Sequence, residues 1–108
     1  MRSSAAVAKA PIFAALGDET RLSLVTRLSS HGSQSIASLT GGTKLTRQAI
    51  TKHLRVLEHA GVVRSSREGR ESLWELQPKR LDEARRYLDQ IGAQWDAALD
   101  RLKEFVED

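Results

Sequence analysis

A mostly helical domain carrying one small β-hairpin (an α+β arrangement) is the fold class this sequence predicts. Three observations lead there. Apolar residues recur at helical spacing in several short segments closed by glycine. One stretch, Val62–Leu76, has strand character and is split by a Gly-containing turn. The C-terminal segment from Pro78 carries a single apolar row in alternating steps of three and four. About five helices are expected in one domain over 11–108, since 108 residues suffice for one core and not for two.

Met1–Ala10 is small and polar without a period, and reads as a flexible tail. Pro11 then opens a short helix with Ile12, Phe13 and Leu16, proline being tolerated in a first turn. Gly17 closes it. Asp18 is placed to cap a second helix, with Glu19 at its positive end. Leu22, Leu24, Val25 and Leu28 share one arc of that helix until His31-Gly32. Ser35 can cap a third, short helix with Ile36 and Leu39, which ends near Gly41-Gly42. Thr46 can cap a fourth, and Gly61 stands where a C-terminal glycine belongs. Val62–Ser66 and Glu71–Leu76 form the hairpin around Arg67-Glu68-Gly69-Arg70, with Trp74 and Leu76 on one side. Pro78 begins a long final helix over 78–107.

Composition narrows the function classes. The chain has no cysteine, which excludes a disulfide framework, a thiolate metal site, a cysteine nucleophile and a thiol switch. No apolar stretch reaches the ~18 residues of a membrane span, and Met1–Ala10 lacks a signal peptide's apolar region. The expectation is a cytoplasmic protein with no membrane partner. The net charge of +3 is unevenly spread. Through Arg80 there are thirteen Lys/Arg against six Asp/Glu, and beyond it four against eight. Lys44–Arg70 alone holds seven basic and two acidic residues. A basic middle joined to an acidic tail points to a polyanion, against the alternative of a solvated surface with chance clustering.

Two short helices separated by a tight turn and followed by a basic hairpin spell a winged helix-turn-helix. Its decisive segment is TRQAITKHLRVLEHA, Thr46–Ala60. With Ala49 set at zero and about 100° per residue, Ile50, His53, Leu54, Val56, Leu57 and Ala60 fall on one side for burial. Gln48, Lys52, Arg55 and His59 fall on another, flanked by Thr51. That face offers forked donors, a point charge and an amide, the groups that bond phosphates and base edges in a major groove. Arg47 stands at the helix start, where cation and backbone N–H together favour phosphate. Arg64, Arg67 and Arg70, on or near the hairpin tip, are expected to reach backbone phosphate or the adjacent minor groove. The competing readings are a solvated helix face and a charged edge that blunts strand pairing.

The stretch SIASLTGGTKLTRQAITKHLRVLEHAGVV, Ser35–Val63, closely resembles the helix-turn-helix of the ArsR-type transcriptional regulators. Upstream LGDETRLSLVTRL resembles that family's first core helices, downstream EGRESLWEL its wing, and QWDAALDRLKEFVE a C-terminal dimerisation helix. The resemblance implies a dimeric repressor that binds a near-palindromic double-stranded DNA operator and is released by a signal. It would set Arg47, Gln48, Thr51, Lys52 and Arg55 in or beside the major groove, the residues selected by the helical wheel. Metal sensors of the family use a cysteine pair before the reading helix, or Asp/His/Glu sets on the terminal helices. Here the corresponding segment is Ser35-Ile36-Ala37-Ser38-Leu39, and the final helix has no histidine. The chain therefore resembles a cysteine-free subgroup without the usual metal sites. Its inducer is a small organic molecule, another protein, or absent.

His53 lies within the apolar side and reads as a packed, hydrogen-bonded residue, while His31 and His59 point elsewhere. No pair has i, i+4 spacing, so no metal and no cofactor are expected. No phosphate loop or nucleophile–base arrangement is readable, so no enzyme is expected either. On the final helix Leu81, Ala84, Leu88, Ile91, Trp95, Ala98, Leu102 and Phe105 form a heptad seam. Some 28 residues would extend about 42 Å, beyond the domain's own core. A row containing Trp95 and Phe105 needs cover. The seam predicts a homodimer through Leu81, Leu88, Ile91, Trp95, Leu102 and Phe105. The alternative is a break at Gly92 that folds the helix back. A second function class, a dimeric protein–protein interaction module that binds no DNA, is disfavoured by the basic reading face.

The absence of thiols and paired histidines carries a prediction. Micromolar zinc, cadmium or arsenite, and thiol oxidants, should leave the DNA complex intact in a gel-shift assay. Stoichiometric metal uptake in calorimetry with release of DNA would contradict it.

Overall fold

The computed structural model describes residues 4–107, folded as five helices and a three-stranded antiparallel sheet. The order is α1 (Ser4–Leu16), α2 (Glu19–His31), β1 (Gln34–Ser35), α3 (Ile36–Thr40), α4 (Arg47–His59), β2 (Val63–Glu68), β3 (Glu71–Leu76) and α5 (Pro78–Glu107). In the sheet β3 lies between β1 and β2.

Three of the expected caps form. The Asp18 carboxylate accepts from the Arg21 N–H at 2.9 Å, Ser35 from Ser38 at 3.2 Å, and Thr46 from Ala49 at 3.1 Å. Each satisfies a backbone donor that a helix start leaves without a partner. Gly61 ends the α4 turn at φ +79°, and a Cβ there would meet Cγ of Arg80 at 2.9 Å. The positive φ requires glycine, and a Cβ would in addition displace the Arg80 side chain.

Every element contributes to the core except β1. Ile12 and Ala15 of α1, Leu24 and Leu28 of α2, and Leu39 of α3 meet Ile50, Leu54 and Leu57 of α4. Val62, Val63, Trp74 and Ala84 complete it. Arg27 of α2 forks onto the end of α3, donating to the Leu39 carbonyl at 2.6 Å and the Ser38 carbonyl at 2.8 Å. Those carbonyls stand at a helix C-terminus, where a cation is favoured.

Several sequence expectations are corrected. Residues 4–10 are helical rather than a tail, and Pro11 sits inside α1 instead of opening it. Proline there costs about 3 kcal/mol, offset by an alanine-rich stretch and by packing. Ile12 and Ala15 are buried, the Phe13 and Tyr87 rings lie 6.0 Å apart, and Lys9 pairs with Glu83 at 3.5 Å. Residues 1–3 of the expected tail lie outside the described residues. The hairpin is longer than predicted and turns on Gly69-Arg70 alone, with Glu68 opposite Glu71. Gly69 supplies the positive φ, +64°, that a two-residue turn needs. The short strand β1 was not predicted, because two residues cannot show a period.

The helix α5 is unbroken through Gly92, and the molecule measures 67 Å along its longest axis. Ala84 is the last buried residue on α5. Leu88, Ile91, Trp95, Leu99, Leu102, Phe105 and Val106 beyond it are exposed, Trp95 by 64% and Phe105 by 83%.

Leu54 is fully buried, so Leu54→Ala should cost about 2–5 kcal/mol in denaturant unfolding. Thr46→Ala should cost about 1 kcal/mol through the lost cap. Stability should also fall in acid. The Arg21 N–H holds the Asp18 carboxyl below its ordinary 3.8, and the Arg80 guanidinium holds Glu83 below 4.5. Carboxyls depressed in the folded state stabilise it above their unfolded values, and that contribution disappears as pH falls through the folded ones. Thermal midpoints should therefore be level from pH 7 to about 5 and drop below about 4, followed by circular dichroism.

Candidate nucleic-acid interface

The helix α4 is anchored from below and open above. Ile50, Leu54 and Leu57 are fully buried, and His53 is half-buried. The ring Nδ1 of His53 lies 3.4 Å from Nη1 of Arg21 and 3.7 Å from the Asp18 carboxylate. Arg21 Nε also donates to the Ala15 carbonyl at 2.7 Å, so one guanidinium joins the end of α1 to the middle of α4. Val56, expected inside, is 44% exposed, because it borders an open groove of about 600 Å³ between α1 and α4. Pro11, Ala14, Ala15, Arg21, His59 and Ala60 line the rest of that groove.

On the opposite side of α4 the structure gathers Gln48, Lys52 and Arg55, with Arg47 at the first turn; all four are exposed. Among the described residues, no side-chain hydrogen bond or ion pair engages Arg47, Gln48 or Lys52. Their donors are available to an incoming acceptor. Thr51 is different: it is half-buried and its hydroxyl donates to the Arg47 carbonyl at 2.7 Å. Its hydroxyl proton is therefore already committed to the helix backbone.

Arg55 is engaged on two sides. Its Nη1 donates to Glu58 Oε1 at 2.8 Å, and its Cζ lies 5.1 Å from the centroid of the buried Trp74 ring. A guanidinium within about 6 Å of an indole face is attracted by the ring quadrupole. The other Glu58 oxygen accepts from the Ser65 hydroxyl of β2 at 2.9 Å. The hydrogen bond from Arg55 holds the Glu58 carboxyl below its ordinary 4.5; partial burial opposes this and Ser65 adds to it. Sequence reasoning missed Glu58, Ser65 and Trp74. The i, i+3 spacing of Arg55 and Glu58 was the one available signal.

The hairpin arginines separate. Arg67 and Arg70 lie at the exposed end of the hairpin, Arg67 opposite Ser72 and Arg70 in the turn. Arg64 is not at the tip. It sits one residue from the base of β2, opposite Glu75, and its Nε donates to that carboxylate at 2.6 Å. Of the seam residues, Leu81 is half-buried against its own core, whereas Leu88, Ile91, Trp95, Leu102 and Phe105 stand free of it.

Among the described residues, no group of three or more His, Asp or Glu side chains could hold a metal ion. No helix there is long and apolar enough to cross a membrane.

Comparison with known proteins adds to this geometry. A family described as a helix-turn-helix domain matches residues 16–66. The chain is similar to the solved structure of an ArsR-like transcriptional regulator from Rhodococcus sp. RHA1. That match has 39% identity over 92% of each chain and a TM-score of 0.76. It is 44% identical to an uncharacterized HTH-type transcriptional regulator, YuzN, of Bacillus subtilis, over 57% of this chain and 74% of that one. An HTH-type transcriptional regulator of Mycobacterium tuberculosis is 31% identical over 86% of this chain and 83% of its own.

Proposed function

The chain belongs to the ArsR-type winged helix-turn-helix transcriptional regulators, a family of DNA-binding proteins and not of enzymes; on that premise, we propose that it is a homodimeric repressor acting on a near-palindromic operator. The observation that carries the reading is the opposition of two faces on α4: three fully buried leucine and isoleucine side chains below, and three uncommitted donor side chains beside Arg55 above. A helix so held presents its donors as a rigid set, which base readout requires. Gln48 and Arg55 are proposed to contact base edges. Arg47, Lys52, Arg67 and Arg70 supply cations for phosphate. Thr51 contributes packing, and Arg64, held by Glu75, belongs to the outer rim.

The dimer follows from α5. Seven exposed apolar residues in its distal part are more than a lone protomer leaves to water without a reason. Two-fold pairing of that face would set two α4 helices toward half-sites about 34–36 Å apart. Such a protein works in the cytoplasm, where DNA is reached directly. A small-molecule inducer would find room in the groove between α1 and α4, whose walls join the N-terminal helix to the reading helix.

Two sets of variants test these assignments. Gln48→Ala and Arg55→Ala should each cost about 1–3 kcal/mol on the operator and relax choice at one base pair. Arg67→Ala should weaken all sequences alike and reduce the salt dependence by about one phosphate contact. Wild-type binding by all three across a salt titration would refute the face. Leu88 is exposed in the protomer, so Leu88→Asp should leave the domain folded yet monomeric in light scattering, with operator affinity falling in parallel. A monomeric wild type that binds its operator tightly would refute the dimer.

A further inference from the structure

We infer that Glu58 is a positioning residue for DNA sequence choice, fixing Arg55 in one orientation and tying the reading helix to the wing. The inference rests on the proposed reading face. Glu58 itself does not stand on that face and offers DNA only repulsion. Its two oxygens are nevertheless both committed, one to Arg55 at 2.8 Å and the other to Ser65 at 2.9 Å. Ser65 is the cross-strand partner of Trp74, and the Trp74 ring lies beneath Arg55. Four side chains from α4, β2 and β3 thus close a circuit around one guanidinium.

The circuit contributes little to stability, since an ion pair whose members are 61% and 33% exposed is largely solvated. What it supplies is orientation. A free arginine explores many rotamers, and a bidentate base contact must select one of them. Glu58 uses one of five N–H donors, leaving the others for an incoming acceptor while the indole lies against the guanidinium. The carboxyl, held below its ordinary 4.5 by that hydrogen bond, is ionised at neutral pH. The carboxylate brings a negative charge close to DNA, which weakens binding to any sequence. Its removal therefore has opposite effects on sequence choice and on bulk affinity.

That opposition defines the experiment. Affinities of wild type, Glu58→Ala, Glu58→Gln, Ser65→Ala and Arg55→Ala are measured on a selected operator, on single-base variants of it, and on random-sequence duplex. Glu58→Ala should lose about tenfold of its discrimination at the base pair that Arg55→Ala also relaxes, while binding random duplex as tightly as wild type or more so. Glu58→Gln, which keeps an acceptor, should lose less. In the Arg55→Ala background the Glu58 substitution should have no further effect on discrimination. A merely structural role would weaken both kinds of duplex together, and that result would overturn the inference, as would full discrimination in both Glu58 variants. If Arg55→Ala itself leaves discrimination untouched, the reading face fails and the positioning role with it. Ser65→Ala retains the Arg55–Glu58 bond and should show a smaller change of the same sign.

Discussion

Burial of Ile50, Leu54 and Leu57 beneath α4 fixes the orientation of that helix, and its neighbours are arranged around it. A helix can be useful as a reading surface only when its rotation about its own axis is fixed. Three fully buried side chains at helical spacing fix it, because any rotation would trade leucine for lysine in a close-packed interior. The remaining devices act on that axis from its neighbours. Thr46 sets where the helix starts, and Gly61 sets how it leaves toward the sheet. Arg27 fastens the end of α3, the helix that precedes the turn. Trp74, buried at the middle of the central strand, supports Arg55 from below.

A second constraint lies at the other end of the molecule. The protomer core reaches Ala84 and no further, so the distal α5 has an apolar side with nothing of its own chain to cover it. The N-terminal helix lies between these two regions. Its Phe13 meets Tyr87 of α5, and its Ala15 carbonyl receives the Arg21 side chain that also approaches His53 of α4. Two short links thus join α5 to α4 through α1, aromatic at one end and polar at the other.

Much of this was legible in the sequence, and the boundary is instructive. Caps and glycines are local chemistry, so Asp18, Ser35, Thr46 and Gly61 announced their roles through residue type and position. The basic face of α4 was legible because helical period alone separates Gln48, Lys52 and Arg55 from Ile50, Leu54 and Leu57. Tertiary effects were not. Pro11 reads as a helix start until α5 is known to pack on both sides of it, through Lys9–Glu83 and Phe13–Tyr87. Leu81 belongs to the heptad row by spacing, yet its height on α5 turns it to its own core. Arg64 reads as a tip residue only while the strands are drawn too short; the register to Glu75 moves it to the base. The circuit of Arg55, Glu58, Ser65 and Trp74 joins three elements, and no one-dimensional pattern reports such a closure.

In the proposed dimer two α4 helices, held a fixed distance apart by paired α5 helices, read one face of a duplex. The most direct measurement is footprinting of the protein on a duplex recovered by in vitro selection, with the protomer count of the complex taken from sedimentation. Such a dimer should show two protomers per site and two protected major-groove segments on one face of the DNA, one helical turn or a whole multiple of it apart, about 34–36 Å per turn. A single protected segment occupied by one protomer, or protection that ignores sequence, would contradict it.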